Sequence, residues 1–207
     1  MTAAPPDAPA ERDDAADDRH LRWSVLDRTL VHDFHVFRAH RARARHPTTA
    51  HEHDFTVLDA ADWVNVIALT ADDHVVLLRQ YRAGTDRVEV EIPGGLVDPG
   101  EDHGTAARRE LAEETGFTAP RWQYLGSTSP NPAIQSNRLH TWLALDAVRS
   151  QPPAPEETEA LAVWTAPLAE VTTLLRAGRI DHALVVVAFA HLALAGGLTL
   201  ARPPAPR

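Results

Sequence analysis

The chain has 207 residues, 44% of them hydrophobic, a formal net charge of −9 and no cysteine. That length suffices for one good core with room for a small accessory layer. The acidic balance argues against broad binding to a nucleic-acid backbone, and the missing cysteine excludes disulfides and thiolate metal sites.

Residues 1–20 are rich in Ala, Pro and Asp and are expected to form a disordered tail. The start of the chain is polar and acidic, not basic then apolar, so no secretory signal is expected there. Residues 21–60 alternate in strand fashion, with strands expected around 23–30, 35–44 and 54–58. Within the second, Arg38-Ala39-His40-Arg41-Ala42-Arg43-Ala44-Arg45 reads as a strand with one solvated arginine face. Lysine is absent, which reads as compositional bias and not as function.

Residues 61–200 are expected to form the main domain. Strands are predicted at 63–70, 74–80 and 88–92, then a helix from about Asp102, then strands near 122–127, 139–145 and 161–165. Thr165-Ala166-Pro167 reads as an N-cap with an early proline, opening a helix that Gly178 ends. Asp181 or His182 opens the last helix, which is apolar nearly all round and so is expected to be buried. Its apolar run, 183–197, contains His191 and is too short to span a bilayer, so no membrane partner is expected and the cytoplasm is the default location. Residues 201–207 read as a Pro-rich tail.

The chemistry concentrates at the first predicted helix of that domain. Gly94-Gly95 follows a strand-like run and permits close backbone approach. Asp98-Pro99-Gly100 is turn chemistry. On the helix, Ala106, Ala107, Leu111 and Ala112 can face a core, and Gly116 is a natural stop. Glu110, Glu113 and Glu114 share one face near the C-terminal end, where they repel one another and oppose the helix dipole. A hard divalent cation reverses that cost, because it takes carboxylate oxygens and leaves room for water and phosphate. Arg109 can pair with Glu113 one turn on, or with Glu101, and so orient the cluster. An isolated Glu-x-x-Glu-Glu is usually a solvated helix face; the glycine turn, Glu101 and Arg109 at fixed distances favour a metal site.

From Gly95 through Glu101, Arg109-Glu110-Leu111-Ala112-Glu113-Glu114 and Gly116-Phe117, the chain has the form G-x5-E-x7-R-E-U-x-E-E-x-G-U, U being bulky and apolar. A chance match in a chain of this length is roughly one in ten million. This pattern resembles the signature of the Nudix hydrolases, which cleave a nucleoside diphosphate linked to another group using water and divalent metal. The resemblance implies an α/β fold, an α/β/α sandwich around a mixed sheet, with the N-terminal antiparallel β layer packing against a partner in a homodimer. Leu78-Arg79-Gln80-Tyr81-Arg82 and Glu91-Ile92-Pro93-Gly94-Gly95 are similar to segments of ADP-ribose and ADP-sugar pyrophosphatases. So is Pro132, fifteen residues past Phe117. Glu156-Glu157-Thr158-Glu159 resembles the acidic loop that carries a further catalytic glutamate there, and Gly178-Arg179-Ile180-Asp181-His182-Ala183 the turn into the last helix. Two positions depart from the group: Gly94 stands where alanine is frequent, and Asn137 where many relatives have glutamate, so no base duty is available there.

The implied reaction is attack of water on a phosphorus of the diphosphate, with Mg²⁺, or Mn²⁺ in its place, at two or three ions per site. Glu110 and Glu114 are the first-choice metal ligands, with the Gly94 carbonyl beside them and Glu113 as third ligand or base. Glu101 orients Arg109 or binds metal through water. Glu157, with Glu159 next, is expected to take the proton from the attacking water. Arg82 is placed to meet the diphosphate, or else is a surface arginine at a strand end. Trp63 could stack on adenine, though core packing is its more ordinary role. His140 and His182 lack metal-ligand spacing and read as structural. The expected partner is a nucleoside diphosphate sugar, giving AMP and a sugar phosphate. Other Nudix substrates, such as GDP-mannose or a dinucleotide, a non-catalytic nucleotide-sugar sensor, and a scaffold using the arginine-rich strand are the rival readings.

Overall fold

The computed structural model describes residues 18–155 and 158–198. The chain divides into two compact units, one of Met1–Ala60 with Asn131–Asn137, the other of Ala61–Pro130 with Arg138–Arg207. Of the tail expected at residues 1–20, residues 1–17 lie outside the described residues, as does the tail expected at 201–207; Asp18–His20, expected to be disordered, form a single 3₁₀ turn.

In the first unit, β1 (Ser24–Asp33), β2 (Arg38–Arg45) and β3 (Glu52–Asp59) form an antiparallel sheet in that order. The alternation in β2 buries Ala42 and Ala44 and leaves Arg41, Arg43 and Arg45 exposed. All three meet acidic partners on β3: Arg41 and Arg43 share Asp54 at 4.0 and 3.1 Å, and Arg45 meets Glu52 at 2.8 Å. Such exposed pairs contribute little to stability. All ten residues of β1 are exposed.

The second unit begins with β4 (Trp63–Leu69), β5 (His74–Arg82), β6 (Arg87–Glu91) and β7 (Gly94–Leu96). Next come α1 (His103–Thr115), β8 (Phe117–Thr118), β9 (Arg121–Thr128), β10 (Leu139–Leu145), β11 (Val148–Arg149) and β12 (Leu161–Pro167). Helices α2 (Leu168–Arg176) and α3 (Ala183–Leu194) close it. The main sheet runs β12-β5-β4-β10-β9 and is mixed, because β10 lies parallel to β4 while its other pairings are antiparallel. Strands 4 and 10 are accordingly mostly apolar, interrupted only by Asn65 in the first and by His140 and Thr141 in the second, as suits strands covered on both faces. One face packs Val64, Val66, Ala68 and Val76 against Ala106, Ala107 and Leu111 of α1. The other packs Ile67, Leu69, Val75 and Leu77 against Val171 of α2 and Val185, Ala188, Phe189 and Leu192 of α3. The result is the α/β/α sandwich.

The sheet contains a fork. Strands 4 and 5 pair only at Leu69 and Val75 and then diverge. The gap is filled by β6 on β5 and β7 on β4, so the chain crosses from one arm to the other at Ile92–Pro93. Pro93 offers its carbonyl to the Val66 amide at 2.8 Å, which pins the crossing.

Helix α1 starts and stops as its sequence dictates. Asp102 caps it, its carboxylate accepting from the amides of Gly104 and Thr105 at 2.8 and 3.1 Å. Gly116 ends it at φ 75°, and its close approach to Gln151 leaves no room for a side chain. Two expectations are corrected. Thr165 does not cap α2: it pairs with Val76 inside β12, the strand extends through Pro167, and the helix begins at Leu168. Pro167 has no side-chain cap to give, and the Leu168 amide instead donates to Asp73 O at 3.0 Å. Helix α3 is not buried all round: Val185, Ala188, Phe189 and Leu192 face the sheet, while Val186 is 44% and Leu194 81% exposed. A helix laid on one sheet covers one stripe only. His182 opens it as expected, its ring accepting from Leu184 N at 3.3 Å.

Replacing Asp102 by Ala removes the cap of the helix that carries the carboxylates. A loss of about 1 kcal/mol is expected, read as a fall in melting temperature of about 2–4 °C; an unchanged melt would show that the cap is energetically idle.

Candidate active site

The fork brings α1 against the backbone of β7. Gly94 lies flat on β4, and a Cβ there would collide with the Val64 carbonyl and come within 2.9 Å of Asn65 Cα. Glycine at 94 is therefore a steric demand of this backbone. A Cβ at Gly95 would sit 2.6 Å from Glu110 Cδ, so that glycine exists to let the carboxylate approach. The Gly94 amide donates to Glu114 Oε2 at 2.8 Å.

Glu114 is 3% exposed, and among the described residues no cation pairs with it. Burial pushes its pKa up to about 8; the charges of Glu110 and Glu159 push the same way, and the Gly94 amide and Arg82 only partly offset them. Burial likewise raises Glu110, although Arg109 bonds it at 2.9 Å. The pairing favours the anion, but it lies at the rim, and the desolvation of a largely buried carboxyl outweighs it. Glu113, by contrast, is exposed.

Arg109 is the organiser of this cluster. Its Nε and Nη2 donate to the two oxygens of Glu101 at 3.1 and 2.9 Å. Its Nη1 serves Glu110 at 2.9 Å and Glu113 at 3.2 Å, and Nη2 also reaches Leu96 O at 3.0 Å. All five guanidinium N–H donors are thereby spent inside the protein. Hydrogen bonding to Arg109 holds Glu101 below the usual carboxylate range.

From the sheet side, Glu159 precedes β12 and meets Gln80 Nε2 at 3.5 Å. Its charge reaches both Glu110 and Glu114. Arg82 ends β5, and its Nε and Nη2 grip Glu91 Oε1 and Oε2 at 2.7 and 2.8 Å. It also lies within the field of Glu114 and Glu159. Arg82 is thus neither a bare surface arginine nor a free one. Glu91, 4% exposed, was not singled out from the sequence. Glu91 lies opposite Leu78, four residues back along β5 from Arg82 and on the same face, so only the β5–β6 register reveals that the two can meet.

The structure therefore brings Gly94, Glu101, Arg109, Glu110, Glu113, Glu114, Glu159 and Arg82 into one neighbourhood. Glu157 lies outside the described residues. Trp63 is half-buried at the start of β4, paired with Leu96 and Leu139, and its amide donates to Arg138 O at 2.8 Å. Pro132 is exposed in a turn that belongs to the first unit. Asn137 is buried, and its amide atoms have no hydrogen-bond partner among the described residues. His140 is held between Tyr124 at 3.0 Å and Asp62 at 3.2 Å, a structural setting.

The family model described as NUDIX domain matches residues 60–188. The chain is 31% identical over 132 residues, 63% of its length and 71% of the relative's, to the methanol dehydrogenase activator of Bacillus methanolicus. It is 29% identical over 132 residues, again 63% and 71%, to the ADP-ribose pyrophosphatase of Bacillus subtilis. A crystal structure of an ADP compounds hydrolase superposes with a TM-score of 0.73 at 26% identity, covering 86% of this chain and 97% of that one. The chain belongs to the Nudix family. It is a Nudix hydrolase related to enzymes that act on ADP-ribose and other ADP compounds.

The burial of Glu114 has a sign that can be measured. A carboxyl raised from 4.5 to about 8 on folding makes the folded state bind more protons, so its ionisation costs stability as pH rises through that window. With divalent ions chelated, Glu114→Gln is expected to melt above the parent at pH 8 and level with it near pH 4. Each kcal/mol relieved corresponds to about 2–4 °C. Parallel pH profiles for the two proteins would show that Glu114 is not desolvated.

Proposed function

We propose that the protein hydrolyses the diphosphate of ADP-ribose or a related ADP-sugar to AMP and a sugar phosphate, in a Mg²⁺-dependent reaction. The observation that carries this is half-buried Glu110 and buried Glu114 beside Gly94, with Glu159 in reach and Arg82 at the edge. The names of the relatives point to the same substrate class.

The residues fit a hard divalent cation. Two carboxyls whose pKa burial raises, Glu114 further by the charge of Glu110, are stabilised by positive charge, and the donors are all oxygen. Among the described residues no three acidic or histidine side chains close round a single point, so water and phosphate oxygens would have to complete the coordination. Glu110, Glu114 and the Gly94 carbonyl would hold the metal; Glu113, more exposed, is the outer member. Bound Mg²⁺ supplies charge to the phosphate oxygens and acidifies the attacking water. Glu101 and Arg109 act by fixing Glu110 and Glu113 in place. Glu159 is positioned to take the proton from water, and Glu157 is the other candidate on the same loop. Arg82 offers its unspent donors to the diphosphate.

We infer also that β1 meets a second copy of the chain, since Val25, Leu26, Leu30 and Val31 all stand exposed on an edge strand. The proposed location is the cytoplasm; among the described residues no helix is long and apolar enough to cross a membrane.

AMP release from ADP-ribose, with and without Mg²⁺ and beside ADP-glucose, GDP-mannose and a dinucleotide, tests the reading. Strong Mg²⁺-dependent release from the ADP-sugars is expected, and Glu114→Gln should lower it by about a hundredfold or more, as loss of a metal ligand or of its orienting partners does. Cleavage of GDP-mannose alone would replace the substrate; binding without cleavage of any would make the protein a sensor. Of Glu157→Gln and Glu159→Gln, the one that cripples turnover without weakening binding identifies the base.

A further inference from the structure

We propose that Glu91 is a positioning residue: it clamps one edge of the Arg82 guanidinium so that the opposite edge faces the substrate diphosphate. The proposal rests on the reading of the site as a diphosphate hydrolase.

Residue 91 lies opposite Leu78 in the β5–β6 register, four residues back along β5 from Arg82. Leu78, Gln80 and Arg82 share a face, so Arg82 does not meet Glu91 straight across. Its side chain must run back over the sheet toward the fork, where Glu114 lies. Glu91 holds it there. The Glu91 side chain is 5% exposed and that of Arg82 41%, so the inner end of the pair is dry and the outer end open. A buried carboxylate deprived of its cation is strongly unfavourable, which compels the arginine to stay.

The donor count decides what is left over. Glu91 takes Nε–H and one Nη2–H. A guanidinium has five N–H groups, so the two on Nη1 and one on Nη2 remain, and these form a second planar fork. Among the described residues nothing accepts from them. That fork lies in the field of Glu114 and Glu159, where the phosphate oxygens must come. Arg109, with every donor spent, cannot play this part. A lysine in place of Arg82 could not do both jobs, since an ammonium has no second edge.

The test is calorimetric titration with ADP, which carries the diphosphate and is not turned over as a sugar ester. The parent, Glu91→Gln, Arg82→Lys and the double variant are compared, with thermal melts as fold controls. Glu91→Gln and Arg82→Lys are each expected to weaken ADP about tenfold, the scale of one charge-assisted bond. The double variant should also lose about tenfold and not a hundredfold, because both changes break one device. ADP affinity at the parent's level in folded Glu91→Gln overturns the proposal, as does additive loss in the double variant or failure of the parent to take up ADP. If Glu91→Gln does not fold, parent-like affinity in Arg82→Lys overturns it equally. The parent's AMP release from ADP-ribose is scored separately, so an error in the substrate is not mistaken for an error about the clamp.

Discussion

A buried carboxylate held against a glycine backbone organises this protein. Glu114 can accept the Gly94 amide only because β7 lies flat on β4, and β7 can lie there only because strands 4 and 5 part after a single pairing. Glycine at 94 and 95 follows from the same contact, one set by β4 and the other by Glu110. Fork, glycines and helix face are one solution to bringing negative charge next to main chain in a dry place.

The two arginines of the site divide its electrostatics. Arg109 is saturated by Glu101, Glu110, Glu113 and a carbonyl, and it converts mutual repulsion on the helix into fixed geometry. Arg82 is held by one residue and remains open to solvent on its other side. Side chains of the same type thus serve opposite ends, one closing the carboxylate cluster and one facing outward. Glu114 is costly to ionise because it is buried, and neither arginine bonds it to offset that.

Much of this was legible from residue order. Asp102 and Gly116 mark the ends of α1, and the spacing of Glu110, Glu113 and Glu114 placed them on one face. The β2 alternation of alanine and arginine was read as a strand with a wet face, and it is one. What failed depends on contacts remote in sequence. Thr165 has a cap's chemistry, but pairing with Val76 across the sheet keeps it extended. The composition of α3 shows no polar side, so only its packing reveals that Val186 and Leu194 point away from the core. Glu91 is plain in the sequence, yet its pairing needs the β5–β6 register to be known. That Gly94 departs from the frequent alanine is visible in the sequence; that the proximity of Val64 requires it is not.

The exposed strand β1 carries its own instruction about symmetry. Asp27 and Arg28 sit side by side between the apolar pairs Val25-Leu26 and Leu30-Val31. Stacked in parallel and in register, copies of this strand would set aspartate on aspartate and arginine on arginine, which is repulsive. Turned antiparallel about the Asp27–Arg28 bond, two copies set each acid against a base and Val25 against Leu30. Because β1 is already paired to β2 on its other side, one second copy would fill its free edge and the pair would close on itself. The same ten residues that leave the edge bare would therefore set the orientation in which a second copy meets it.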